Sequence, residues 1–435
     1  MTTTTYSPGA GPGYGAGIVA GPGTGTAAGP DSVAARRAIE ALRAGVPSRD
    51  AVAALGSEQS AIEDRFHALC ESAAGGTAGG LLLGGGFGSG KSHLLEHLAR
   101  LALEAGHTVS RVVVSKETPL HDPVKVFRAA ADSAVRAGQA RPAIIEAAAA
   151  LDLDGRAYAE LLRWASSNGA ELNERFPATL ELFARVRGRD PAFAETILRF
   201  WSGDPIAVPE LRRRLREIGD QRPTLPPVAG AELARQRLRF GARLLAAAGS
   251  AGWVVLFDEV ELIGRYSLLQ RAKSYAELAR WMRGDHGPGI PIVAVFAMTD
   301  DFEAAVITGR DDRDQVPAKL RAKGTPEADA LAEAAQLGMR IIDRETHLLT
   351  PPDEVELKQA YLRLRELHGQ AFGWRPPDVG GLERLGATRM RQYVRAWINE
   401  WDLVRLSPGY RPSTEIIDVP TDYREDADLE RPEPE

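Results

Sequence analysis

The sequence predicts an α/β fold: a parallel sheet core carrying a phosphate-binding loop, interrupted by a large helical insertion and followed by a C-terminal helical lid. Three stretches predict it. In "LLLGGGFGSGKSHLLEHLARL", residues 81–101, a short apolar run meets a glycine-rich turn, and an apolar pattern at helical spacing follows. "WVVLFDEVELI", 253–263, runs uninterrupted through apolar residues into two adjacent acids. A parallel strand covered on both faces ends this way, with its polar residues at the carboxyl edge where ligands bind. "PIVAVFAMTDD", 291–301, supplies another core strand with a polar end.

Gly85, Gly90, Lys91 and Ser92 satisfy G-x-x-x-x-G-K-[ST], the phosphate-binding loop. Its glycines let successive backbone N–H groups point inward, where any Cβ would obstruct the phosphate. The ligand-binding stretch is therefore Gly85, Gly86, Phe87, Gly88, Ser89, Gly90, Lys91, Ser92 and His93. Lys91 reaches the β- and γ-phosphates, the Ser92 hydroxyl ligates Mg²⁺, and the helix starting near Ser92 turns its positive end to the same anion. Gly80 to Leu83 reads as a strand end, and Leu94, Leu95, Leu98, Leu101 and Ala102 as a helix face. A nucleoside triphosphate fits this turn.

In the second stretch, Asp258 is placed to hold Mg²⁺ through water, and Glu259 to orient and polarise an attacking water. Two adjacent carboxylates beside a core strand are costly unless a metal or hydrogen bonds compensate, which argues for function. Glu261 reads as a solvated helix residue. Thr299, ending the third stretch, either senses the γ-phosphate or caps the turn at Asp300-Asp301-Phe302.

Later, "GATRMRQYVRAWINEWDLVR" (386–405) places Met390, Tyr393, Val394, Trp397, Ile398, Trp401 and Val404 on one helical face. Arg389 and Arg391 fall in its first turn, where the helix dipole disfavours cations. A bound phosphate offsets that for Arg389; Arg391 reads as a surface residue.

The 435 residues suggest two or three structural units. A single cysteine, Cys70, rules out an internal disulfide framework and suits a reducing cytoplasm. Residues 1–30 carry no charged side chain and lack the basic-then-apolar pattern of a signal peptide; they read as a disordered tail. No run approaches the roughly 20 apolar residues of a membrane span. From Glu415 to Glu435, nine acids face only Arg424 and Arg431, so this tail carries −7 of a chain at −6. The remainder is near +1, with no global basic field for nucleic acid.

The predicted order is a tail (1–30), N-terminal helices near the base of the nucleotide (31–75), a core in two pieces (76–135 and 222–345), a helical insertion (136–221), a lid (346–412) and an acidic tail (413–435). The insertion follows from the gap between strand "RVVVS" (111–115) and Trp253, far longer than an ordinary crossover. The chain re-enters the core through a helix at 231–247. Within the insertion, "LRRRLRE" (211–217) reads as an exposed helix face with Glu210 and Glu217, rather than as a phosphate contact. The lid opens with Pro351-Pro352, an Asp353 cap and the buried face Leu357, Ala360, Tyr361, Leu364, Leu367. His93 and His97, at i,i+4, read as packing or surface residues rather than metal ligands.

With the phosphate loop, the acidic strand end, a polar strand end and a late Gly-x-x-Arg in this order, the chain resembles the AAA+ P-loop ATPases. Gly56-Ser57-Glu58-Gln59, before a helix with Ile62 and Phe66, is similar to the segment that packs on adenine in initiator and clamp-loader relatives, with Ser57 where a basic residue is usual. Longer stretches, "RRAIEALRAGVPSRDAVAALGS", "GGFGSGKSHLLEHLA" and "VVVSKETPLHDPVKVFRAA", resemble the ATP-binding proteins of bacteriophage-exclusion (BREX) systems, specifically the BrxD type, from about Ser32 to Arg411. The resemblance implies ATP and Mg²⁺ as cofactors, a homo-oligomer, and a role in antiviral defence beside helicase-like or DNA-modifying partners, with DNA itself left open.

It also implies an arginine supplied in trans from the segment before the lid, which offers Arg313, Arg321, Arg340 and Arg344. Arg340 and Arg344 best fit that placement; pairing with Asp343 or Glu345 is the competing reading. Three functions follow: an oligomeric ATPase that remodels a protein or DNA complex, a nucleotide-loaded recruitment switch, and a replication-initiator-like DNA ATPase. The last is disfavoured because too little chain follows the lid for a winged helix.

Overall fold

A computed structural model describes residues 30–138, 142–219, 225–379, 390–407 and 409–411. Both predicted tails (but for residue 30) and Arg389 lie outside the described residues. The chain opens with α1 (Pro30–Ala44), α2 (Arg49–Leu55) and α3 (Ser60–Ala74), then β1 (Gly79–Gly84), α4 (Lys91–Glu104), β2 (Thr108–Val113) and α5 (Pro123–Asp132). Five helices follow: α6 (Ala143–Ala150), α7 (Arg156–Ala165), α8 (Arg175–Val186), α9 (Pro191–Ser202) and α10 (Val208–Glu217). Then come α11 (Gly230–Ala247), β3 (Trp253–Asp258), α12 (Leu268–Met282), β4 (Ile292–Met298), α13 (Asp312–Arg321), α14 (Pro326–Arg344) and β5 (Thr346–Leu348). The helices α15 (Glu354–Phe372) and α16 (Met390–Leu406) close the described chain.

The five strands pair in parallel in the order β2-β3-β4-β1-β5. Gly84 is level with Met298, and Phe257 with Phe296, whose rings stack at 4.4 Å. The carboxyl ends of β1, β3 and β4 therefore meet at one edge of the sheet. Because side chains alternate along a strand, its two faces feed different cores. Leu82, Val255 and Phe257 pack toward α5–α9, α11, α12 and α14, while Leu81, Leu83, Val254 and Leu256 pack toward α3 and α4. That double burial explains the unbroken apolar runs in the sequence. At Gly338 in α14, a Cβ would stand 2.0 Å from the Tyr275 carbonyl oxygen of α12, so only glycine permits this helix contact.

A third core stands apart from the sheet. Ala35, Ala38, Ile39 and Leu42 of α1 and Ala51 of α2 pack with Leu364 and Ala371 of α15 and with Tyr393, Val394, Trp397, Ile398 and Trp401 of α16. Polar ties reinforce it: Arg36 Nε donates to Ala371 O (2.6 Å), and the Arg43 guanidinium to Asp402 (2.6 Å). α15 starts as read, with Asp353 accepting from Glu356 N–H at 2.7 Å and Glu356 accepting back at 3.0 Å. Thus α1 and α2 pack with α15 and α16 as one helical body, while α3 covers the sheet. Hydrogen bonds spanning more than 300 residues make this grouping, and they leave no local trace in the sequence.

Candidate functional site

Gly84 ends β1, and Gly85 N–H donates to Met298 O of β4 (3.2 Å), fixing where the loop leaves the sheet. Gly88 and Gly90 then take left-handed φ of 80° and 105°, conformations that side-chain-bearing residues rarely adopt. α4 begins at Lys91. Lys91 is 8 % exposed, with its ammonium donating to Gly85 O (2.6 Å) and Gly86 O (3.1 Å), so the cation is held inside the loop's curl. Asp300, just past β4, brings its carboxylate beside Gly86.

At the end of β3, Asp258 Oδ1 accepts from Glu259 N–H (2.9 Å), and Glu259 adopts φ 58°, one of three non-glycine left-handed residues described. Such strain costs on the order of 1–3 kcal/mol and gathers at functional sites. The turn ends the strand and starts a 3₁₀ segment, Val260–Arg265. Glu259 remains solvent-accessible. Burial, and then the neighbouring Asp258 charge, raise its pKa, while Lys91 and Arg391 oppose the rise.

One cavity gathers most of these groups. Residues 87–94 line it together with Asp258 and Glu259, the stretch Gly56 to Gln59, Leu42 of α1 and Val46 just past it, Arg363 of α15 and Val394 of α16. Its walls thus come from the sheet edge on one side and the α1/α2/α15/α16 body on the other. Two contacts tie the walls together, and a third, from Arg363 to Leu55, braces the helical wall itself. Gln59 bonds Thr350 in both directions, at 3.0 and 2.9 Å. Arg363 donates to Leu55 O (2.9 Å), and His93 Nε2 to Gly56 O (2.8 Å). Since a carbonyl only accepts, the proton of His93 sits on Nε2; burial lowers its pKa. His93 therefore holds the Gly56–Gln59 segment against α4.

Two expectations are corrected. Glu261 is not a solvated helix residue: it is 7 % exposed, lies in the 3₁₀ segment and lines the cavity. The left-handed turn at Glu259 rephases the chain, so the side chain that regular helical spacing would send outward turns in. Nor is Arg391 a plain surface residue. It lines the cavity, its backbone N–H donates to Gly88 O (3.3 Å), and its guanidinium lies 5.6 Å from the centre of the Phe87 ring. Phe87, half-exposed on the loop, is what draws it there, by cation–π attraction.

Thr299 follows β4 directly, between the strands that carry Lys91 and Asp258, and is 3 % exposed; it is not among the cavity-lining residues. Of the four arginines before the lid, Arg313 pairs with Glu303 and Asp343, and Arg321 bonds Gln336. Arg344 reaches Asp343 only at 3.8 Å, and among the described residues Arg340 is exposed without an ion-pair partner. In α10, Arg213 pairs with Glu210 and Glu217, and Arg214 with Asp190, so much of that basic run is neutralised locally.

The residues fit a triphosphate with a hard cation. The loop's glycines leave a cradle that Cβ atoms would fill, and a buried ammonium closes it. The available donors, a hydroxyl and carboxylates, are the oxygens Mg²⁺ prefers. Among the described residues no three His, Cys, Asp or Glu side chains are grouped so as to hold a metal ion directly.

The five-stranded parallel sheet with its glycine-rich loop after β1 is compatible with a P-loop nucleotide-binding fold. Over residues 32–145 the chain matches the family described as BREX system ATP-binding protein BrxC/D. The match runs from α1 into α6 and includes the entire phosphate loop, and it bears out the resemblance to BREX ATP-binding proteins seen in the sequence. No curated protein matches the chain. No described helix is long and apolar enough to cross a membrane.

Proposed function

We propose that this chain is a Mg²⁺-dependent ATPase of the AAA+ class and BrxD type, which works as a homo-oligomer in a BREX-like antiphage system and remodels or recruits protein–DNA complexes. The observation that carries this reading is the edge where β1, β4 and β3 end side by side, with Lys91, Thr299 and the Asp258-Glu259 pair in that order. Lys91 supplies charge at the β/γ-phosphates. Ser92 and, through water, Asp258 would hold Mg²⁺, which neutralises developing phosphate charge when bound. Glu259 accepts a proton from the attacking water, and its raised pKa brings its basicity closer to neutral pH. Of the two cavity arginines from α15 and α16, Arg391 is the one tied to the loop and is the candidate to answer the phosphates, with Arg389 the sequence's own candidate for that role.

Lys91→Ala should weaken ATP binding by roughly 10- to 100-fold, the range for losing a charge-assisted hydrogen bond. Calorimetric titration of ATP with Mg²⁺ into both proteins checks this; equal affinities would remove the loop from the site.

DNA is a weaker expectation. With a body near neutrality and Arg213 and Arg214 of α10 ion-paired, the isolated protein should bind duplex DNA no tighter than about 10⁻⁶ M at physiological salt, with steep salt dependence. Fluorescence anisotropy across a salt series measures both. Tight, sequence-selective binding would instead favour the initiator-like reading.

A further inference from the structure

Glu261 has no role in the mechanism above, yet its surroundings are unusual. It is 7 % exposed, and its Oε2 is buried with no hydrogen-bond partner. Ser89 Oγ, on the phosphate loop, is a second orphaned polar atom, and both residues line the nucleotide cavity. A buried acceptor left unpaired costs about 1–3 kcal/mol, so such an atom calls for a partner. The nearby cation is directed elsewhere: the Lys91 ammonium donates to the Gly85 and Gly86 carbonyls.

We infer that Glu261 is a third acidic group of the magnesium site, a positioning residue that receives a water of the hydrated cation and not the cation itself. The inference rests on the reading of this cavity as a Mg²⁺–triphosphate site. Chemistry favours it on three counts. Mg²⁺ gives up its waters reluctantly, and those waters need acceptors around them. Glu261 lies in the turn that follows Asp258 and Glu259 and lines the cavity with Lys91 and Ser89, so it belongs to the phosphate end of the cavity rather than to the base end. Burial pushes its carboxyl up to about 7, and a nearby dication favours the charged form. Partners one step out from a metal typically carry 10- to 100-fold in metal affinity.

The test compares wild type, Glu261→Gln and Glu261→Asp by the affinity for a non-hydrolysable ATP analogue, measured with Mg²⁺ and again with EDTA. In wild type, Mg²⁺ should tighten binding. Glu261→Gln should keep the EDTA affinity and lose about tenfold of that tightening; Glu261→Asp, with its carboxylate drawn back, should fall between. Thermal melting should show Glu261→Gln folded, because the amide removes a buried charge without changing volume. If the glutamine variant does not fold, the aspartate variant still reports, and wild-type tightening in it overturns the inference. So does unchanged tightening in Glu261→Gln, or an equal loss with and without Mg²⁺. A wild type whose binding ignores Mg²⁺ would refute the magnesium-site reading itself, and the inference with it.

Discussion

Glu259→Gln is expected to retain ATP and lose its hydrolysis, by on the order of 10²–10⁴-fold, the contribution of a positioned general base. The amide preserves the shape of the side chain at the left-handed turn but cannot take a proton from water. Phosphate release should collapse while the dissociation constant stays near wild type, the opposite pattern to Lys91→Ala. The accessible position of Glu259 makes misfolding a poor explanation for any loss. Hydrolysis equal to wild type in Glu259→Gln would remove it from the mechanism. A wild type without turnover, even beside its partners, would hand the function to the nucleotide-loaded switch.

The second large effect is expected at Arg340. Within one chain, Lys91 and Arg391 are the cations proposed for the phosphates, and the other described arginine lining the cavity, Arg363, is held by Leu55 O and Glu58. An arginine donated in trans contributes on the order of 10³–10⁵ in rate. Arg313 and Arg321 are engaged within their own subunit, which leaves Arg340 first and Arg344 second. Arg340→Ala should bind ATP normally and hydrolyse it slowly, while Arg313→Ala should instead lower thermal stability. Full turnover in both Arg340→Ala and Arg344→Ala would exclude this segment as the donor.

Much of the site was legible because its signals are short. The phosphate loop needs its glycines within eight residues, and Asp258-Glu259 announces itself by interrupting an apolar run. The Asp353–Glu356 capping box is equally local. What escaped depends on distant contacts or on phase. The edge strand β5 has three residues and exists through β1, too brief for a periodicity. Helix α1 looks like one more N-terminal helix until Arg43 meets Asp402. Glu261 and Arg391 were misplaced for one reason: an ideal helical wheel assigned their faces, and local geometry overrode it. A strained turn reset the phase at Glu261, and Phe87 recruited Arg391.

The central claim is an ATPase whose active site is completed between subunits, and mixing two inactive variants tests it most directly. Lys91→Ala chains lack the loop cation but keep Arg340; Arg340→Ala chains have the reverse defect. Each alone should release little phosphate with Mg²⁺ and ATP. Mixed in equal amounts, random assembly pairs an intact loop with a neighbour's intact arginine at roughly a quarter of the interfaces of a ring. The expected result is recovery of phosphate release toward that fraction of wild type. Mixtures as inactive as their components, or a strictly monomeric wild type with full turnover, would contradict the account.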